Sequence, residues 1–544
     1  MLGRLLIAVA ALGLVLLVPI LLRQRDIRSN PRADRLVIVS PHNEAIRFEF
    51  EHAFQRWYQR RCGREVDIDW RTPGGTSEIV RHLTGEYTAA VRQQCLHEGR
   101  PWNPEIQAAL LDRKLKQAQA PSGAWETRQT FLNGNATIGI DLLFGGGQYD
   151  LQRLADMGIL IPCGLRNRMP ELFAGTVPLV PQQLGGEIWY DPQDRYYGVC
   201  LTAFGICYNP ERLREAHPGP LPEPRQWAEL GNPAFFGLLG VGDPSKSGSI
   251  AKAFEMLIQQ QMMLAVAKSA AAGPAGTEGK TAAPSAEVLD RGWEDAMLLI
   301  KEIGANARYF TNGAGKVPMD VAAGDAAAGM CIDFYGRFEA GWEKAASGRD
   351  VLRYVTPAGG SSVSADPIGL LRGAPHAETA RLFIDFLFTK EGQRLWNGRV
   401  GSPGGPLRYS LRRLPIRRDL YVPEESANMS DPEANPFALG AEFTYHPEWT
   451  GALINVSRLL IRVMVIDCHD ELRAAWQAIR DAGGPDAVPA AMTALRRVPF
   501  SHAHAGDESG RLASNRDAVK LAREWADFFR KEYREARDLA RAGK

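Results

Sequence analysis

Along most of the chain, short apolar runs end in polar, glycine-rich breaks that open into helical patterns. Residues 35–40 (Arg-Leu-Val-Ile-Val-Ser) read as a buried strand stopping at Pro41-His42-Asn43-Glu44. Residues 46–60 then set Phe50, Phe54 and Trp57 at helical spacing. A second strand, 65–70, ends in Arg71-Thr72-Pro73-Gly74-Gly75-Thr76-Ser77-Glu78, where Thr76 or Ser77 caps a helix through Ile79 and Leu83. A third, 138–144, ends in Gly145-Gly146-Gly147, with a helix opening near Tyr149-Asp150. A fourth, 237–241, ends in Asp243-Pro-Ser-Lys-Ser247-Gly248-Ser249 before a long helix over 250–267. Four strand ends thus carry small polar residues to helix N-termini. Glycine lets the backbone turn sharply and approach a ligand, and the free N–H groups of a helix start favour anions.

These repeats predict an α/β fold with parallel sheets, in more units than one small lobe holds. The β-rich segments near 199–204 and 355–366 are the expected crossings between two lobes, which enclose a cleft able to close about a hinge. Residues 86–135, with helical pieces over 106–119, interrupt the rhythm as an insertion. Strands at 327–332, 352–357 and 366–371 and helices at 293–303, 378–388 and 389–396 follow. The expected division is therefore an anchor and linker (1–34), a first lobe (35–203, completed by 358–400), a second lobe (204–357, with a flexible Ala/Gly/Pro/Ser-rich loop at 268–286) and a helical C-terminal extension (401–544).

Residues 5–22 are almost wholly apolar, between Arg4 and Arg23-Gln24-Arg25. That is just long enough to span a bilayer and long for a cleaved signal core, so an uncleaved signal anchor with the bulk of the chain exported is expected. Arg23, Arg25 and Arg28 behind the span vote weakly for the opposite orientation. At 544 residues the chain can build more than one core. A net charge of +1 gives no sign of a nucleic-acid partner. Seven cysteines without a Cys-x-x-Cys pair exclude a zinc ribbon or thioredoxin motif. Residues 273–281 imitate a phosphate loop with the wrong spacing and no strand before it. No Gly-x-Ser-x-Gly elbow or His-Glu-x-x-His motif occurs, so the cleft reads as built to hold a ligand without transforming it. Cys468-His469-Asp470 and His502-Ala-His504 are weak metal candidates, and Arg412, Arg413, Arg417 and Arg418 read as a solvated surface.

The segments 37–44, 73–78, 141–147, 197–202, 243–249, 322–329 and 388–392, in this order, resemble extracellular solute-binding proteins of ABC transporters. These are two-lobed, type II periplasmic binding proteins, and the likeness is to the branch that includes iron(III), polyamine, thiamine and phosphonate binders. The resemblance implies a ligand held between the lobes and a closed form that docks on a permease driven by an ATPase. It implies ligand-binding roles for Ser40, His42, Asn43, Gly75, Thr76, Ser77, Gly146, Gly147, Thr202, Ser247, Gly248, Ser249, Asp333 and Tyr335. It implies no resident cofactor. In iron(III) members a histidine, an acidic residue and two tyrosines hold the metal beside an anion on a Ser-Gly turn. Here His42 and Tyr335 match two of those places, but Phe334-Tyr335 replaces the tyrosine pair and glycine stands at the acidic place. A ferric ion wants several anionic oxygens, so an anionic or zwitterionic small solute is the first expectation and Fe3+ as transported ligand the alternative. A ligand sensor, or a transferase using His42 and Asp333 on this scaffold, are the readings from other classes.

Overall fold

The computed structural model describes residues 32–216, 219–271, 283–512 and 514–544. The anchor at 5–22 and the middle of the loop at 268–286 lie outside the described residues.

In the first lobe, β1 (Asp34–Val39) lies between β2 (Val66–Arg71) and β3 (Leu142–Phe144), all parallel. Both faces of β1 are covered, which is why it is a continuous apolar run rather than an alternating one. Leu36 and Ile38 pack with Phe50, Phe54 and Phe144 on one face, while Val37 and Val39 pack with Ile79, Leu83 and Leu151 on the other. Each such buried side chain contributes about 1.5–3 kcal/mol. The strand β4 (Leu160–Ile161) and the hairpin β5 (Gln183–Leu184) and β6 (Glu187–Ile188) precede β7 (Tyr196–Thr202).

The chain then leaves the first lobe: Ala203 alone separates β7 from β8 (Phe204–Tyr208), which belongs to the second sheet. There β9 (Leu239–Gly242) lies between and parallel to β10 (Ala307–Thr311) and β11 (Ala328–Ile332), and β8 runs antiparallel to β11 and β12 (Arg353–Val355). The return runs from β12 to β13 (Ser364–Leu371), which pairs with β7 so that Ser364 faces Thr202. Strands that carry the chain out and back must run antiparallel. Each sheet is therefore mixed rather than wholly parallel, as the repeats alone predict. Finally β14 (Leu414–Pro415) joins the free side of β7.

The helices that matter to the cleft start at strand ends. They are α1 (Glu44–Cys62), α2 (Thr76–His97) and α3 (Gln148–Met157) in the first lobe, then α4 (Gly248–Ala271) and α6 (Asp333–Ser347) in the second, where α5 (Ala286–Ala305) follows α4 directly and packs behind it. Asn43 caps α1 by accepting the Ile46 N–H, and Ser247 caps α4 by accepting the Ile250 N–H.

The segment after residue 400 differs from the single helical extension expected of it. Leu411, Leu414 and Ile416 enter the first-lobe core, so the lobe runs on past 400. Only near Phe443 does the chain cross again. From there α7 (Ile454–Ile461), α8 (His469–Asp481) and α9 (Asn515–Arg541) pack on the second lobe, where Val456, Trp476, Trp525 and Phe529 share one core with Trp227, Leu257 and Trp293. The run Pro447–Asp467 is long and apolar enough to cross a membrane by length and composition, yet just over half of it is buried in that core. Among the described residues the chain thus passes between lobes three times.

Candidate functional site

The C-terminal ends of β1, β3 and β9 point at one interlobe cleft of about 1070 Å³, the upper end of the range for small-molecule sites. His42, Asn43, Gly75, Thr76, Ser77, Gly146 and Gly147 line it from the first lobe, and Ser247, Gly248, Ser249 and Tyr335 from the second. Thr202 lines it at the crossing. Ser40 and Asp333 do not line it. The Ser40 hydroxyl donates to the Phe144 carbonyl (2.7 Å) and accepts the His42 N–H (3.1 Å), locking β1 to β3. Asp333 is fully buried; it accepts from the Thr202 hydroxyl (2.6 Å) and pairs with Arg337 (3.3 Å), while its N–H donates to Ala203. It fastens α6 to the crossing. Burial raises its carboxyl above the usual range despite Arg337.

At the base of the cleft lies a cluster that the sequence reading missed. Asp366, on β13, accepts the Gly146 N–H with Oδ1 (2.8 Å). Its Oδ2 takes the Arg413 guanidinium and lies 3.2 Å from His42 Nε2. Gly145 and Gly146 hold φ of 96° and 120°, conformations open to glycine. A Cβ on Gly145 would stand 2.6 Å from His42 Nε2, so only hydrogen there lets the ring lie on the turn. Arg413 stacks on Phe334 of the second lobe, 4.2 Å from guanidinium carbon to ring centre. Its side chain is only 4% exposed. Arg417 is buried too, paired with Asp419, and Arg412 bonds Asp431. The arginine cluster is thus not a solvated surface. Its signal was the apolar company of Leu411, Leu414 and Ile416, which makes a lone Arg413 a buried charge. Burial lowers the His42 pKa below the usual histidine value, with Arg413 opposing Asp366. His42 Nδ1, like Arg413 Nε, is buried without a partner among the described residues.

Across the cleft, Lys252 of α4 bridges Glu187 of β6 and Glu255, each at 3.0 Å, and lies over the Tyr445 ring. That lysine is fully compensated. By contrast Lys114, Arg153, Lys246 and Arg458 line the cleft without an ion pair among the described residues. The helix starts differ in the same sense. Glu44, Glu78 and Asp150 sit in the first turns of α1, α2 and α3, whereas α4 has no acidic residue there. An acid in the first turn already answers the positive pole of its helix. The start of α4, Ser247-Gly248-Ser249, is therefore the helix terminus most open to an external anion.

Tyr335 packs at a tilt against Phe334 (4.2 Å between ring centres), and burial raises its hydroxyl pKa. Among the described residues no group of three or more His, Cys, Asp or Glu side chains could hold a metal ion. Cys468 is buried and His502 bonds the Trp449 carbonyl, so neither candidate motif forms such a group.

The family model of the bacterial extracellular solute-binding protein matches residues 171–418. Those residues are thus similar to an extracellular solute-binding domain. The match takes in the first two crossings, α4 and Arg413, in agreement with a first lobe that continues past residue 400. Over 197 residues the chain is 24% identical to the phosphoglycerate transport regulatory protein PgtC of Salmonella typhimurium, a stretch covering 36% of this chain and 39% of PgtC. The chain thus spans about two fifths of the curated relatives it matches. The periplasmic binding protein AfuA of Actinobacillus pleuropneumoniae, solved with exogenous fructose-6-phosphate, aligns with a TM-score of 0.43 and 15% identity, covering 71% of this chain and 86% of AfuA. Iron-bound HitA of Pseudomonas aeruginosa aligns with a TM-score of 0.43 and 16% identity, covering 79% and 99%. Structural likenesses this distant say nothing about which ligand the chain takes.

Proposed function

We propose that this protein captures a small anionic solute between its lobes and delivers it to an ABC permease and its ATPase, without transforming it. Residues 5–22 would tether it to the outer face of the cytoplasmic membrane, which raises its effective concentration at the permease. The observation that carries the solute class is the start of α4, free of any first-turn acid, with Lys246 and Arg458 on the same cleft and in no ion pair among the described residues. A phosphorylated acid is the favoured solute, because PgtC is by its name a phosphoglycerate transport regulatory protein. Ferric ion as transported ligand on His42 and Tyr335 is disfavoured: His42 Nε2 is engaged by Asp366, and the guanidinium of Arg413 stands 3.3 Å from it, repelling any cation.

Native mass spectrometry of the full chain in detergent, purified without chelator, tests this directly. A retained phosphorylated or carboxylated mass supports it. Retained ferric ion, or a thermal shift with ferric citrate and none with 3-phosphoglycerate, refutes it. A ligand at a hundred times its Kd should stabilise the fold by about 2.7 kcal/mol. Ligand sensing is the second reading, favoured by the word "regulatory" in the name of PgtC. It predicts a ligand-dependent complex with a membrane signalling protein instead of a permease.

A further inference from the structure

We infer that the C-terminal helices form a third wall of the solute cleft and that Arg458, on α7, is a solute contact selecting a doubly charged, phosphoryl-type group over a carboxylate. The inference rests on the cleft being a solute site. It adds a residue well beyond the 171–418 match, on a segment whose sequence shows no chemistry.

The seat of α7 is fixed from both lobes. The Tyr445 N–H donates to the Gly185 carbonyl of the first lobe (2.7 Å). The His446 N–H donates to Gln259 Oε1 (3.0 Å), and Gln259 Nε2 donates back to the His446 carbonyl (2.7 Å). The hydroxyls of Tyr445 and Thr450 both donate to Glu255 of α4, at 2.8 and 2.6 Å. From this seat α7 runs along the cleft, and Ile454, Asn455 and Arg458, at helical spacing, line it.

Arg458 is placed against the start of α4. Its Nη2 lies 3.4 Å from where a Cβ on Gly248 would stand. Its Nε is buried without a partner, and it makes no ion pair or hydrogen bond among the described residues. A guanidinium offers five donors in a fixed fork, and leaving a buried donor unmade is costly. The fold therefore holds an arginine, Lys246 and the positive pole of a helix together with no ion-pair partner among the described residues. The acid across the cleft, Asp150, is answered by its own helix and feels both Arg153 and Arg458. Two cations and a helix pole match the charge of about −1.5 to −2 of a phosphoryl group, and the guanidinium fork fits its oxygens. A carboxylate would leave one positive charge unanswered.

Isothermal titration of the full chain in detergent with 3-phosphoglycerate, glycerate and inorganic phosphate, for wild type, Arg458→Gln and Arg458→Lys, decides the matter. Wild type should prefer 3-phosphoglycerate to glycerate. Arg458→Gln should lose about ten- to a hundredfold for 3-phosphoglycerate, the worth of a charged hydrogen bond, with glycerate little changed. Arg458→Lys should recover part of the loss, and the ligand-free melting temperature of either variant should stay level or rise. Arg458→Gln binding 3-phosphoglycerate like wild type overturns the role of Arg458 while leaving the cleft reading intact. So does wild type that binds only solutes without a phosphoryl group. Wild type that binds and retains no solute overturns both.

Discussion

Replacing Arg413 by methionine removes one half of the buried pair at the base of the cleft, and its effect has a definite pH signature. Burial alone would raise the Asp366 carboxyl, but Arg413 and His42 outweigh it and hold the pKa at about 2, against an ordinary 3.8. At ~1.4 kcal/mol per unit this is about 2–3 kcal/mol of stability. A carboxylate depressed in the folded state gives stability that is complete above 3.8 and lost as pH falls through about 2. Asp366 in wild type thus contributes no slope between about pH 5 and 8. In Arg413→Met, burial is opposed only by the Gly146 N–H and by His42, and the folded pKa rises above the unfolded one. The sign reverses: stability falls as pH rises past about 4, because the unfolded chain releases its proton first. His42 softens the fall wherever it can take up a proton beside the carboxylate. Near neutrality the loss should reach about 3–5 kcal/mol, the cost of breaking a buried pair. Urea unfolding followed by tryptophan fluorescence from pH 4.5 to 8 measures it. The double variant Arg413→Met/Asp366→Asn should regain much of the loss, since no charge is left buried alone. A loss for Arg413→Met that is constant across the pH range, or a double variant no better than either single one, would refute the reasoning.

Gly145→Ala should cost about 1–3 kcal/mol, since it combines a left-handed φ of 96° with a Cβ 2.6 Å from the His42 ring; an unchanged melting temperature contradicts this. Thr202→Val removes a 2.6 Å hydrogen bond to buried Asp333, for a loss of about 1–3 kcal/mol, larger at pH 8 than at pH 5 because a carboxyl raised by burial is easier to bury protonated. Equal losses at both values would argue against the raised pKa. Lys301 of α5 is fully buried and donates to the carbonyls of Leu495 and Arg497, both at 2.7 Å, while burial lowers its pKa to about 7. A lysine depressed in the folded state makes stability rise with pH between about 7 and 10.5. Lys301→Met should abolish that rise, and a difference between the two proteins that is flat from pH 7 to 10 would disprove it.

The elements of the cleft were legible because their causes are local. The apolar run at 36–39, the glycines at 145–147 and the capping Ser247 each specify strand, turn and helix start within a few residues. Both crossings by way of β7 and β13 could be read too, since a strand that carries the chain between lobes is long and apolar. What stayed hidden depends on partners far apart in sequence. His42 and Arg413 are 371 positions apart, and Gly248 meets Arg458 through a third crossing that no local pattern announces. Arginine compounds the difficulty, because the same side chain suits a solvated face and a buried pair. Arg412 and Arg413 are neighbours, yet one side chain is 24% exposed and the other 4%. An acid within an apolar strand, as Asp366 is, or an arginine between apolar neighbours, as Arg413 is, therefore says more than a cluster of like charges. Such a residue must find its opposite somewhere in the fold. At the base of this cleft the two find each other, whereas Arg458 makes no ion pair among the described residues and has only the more distant Asp150 to answer it.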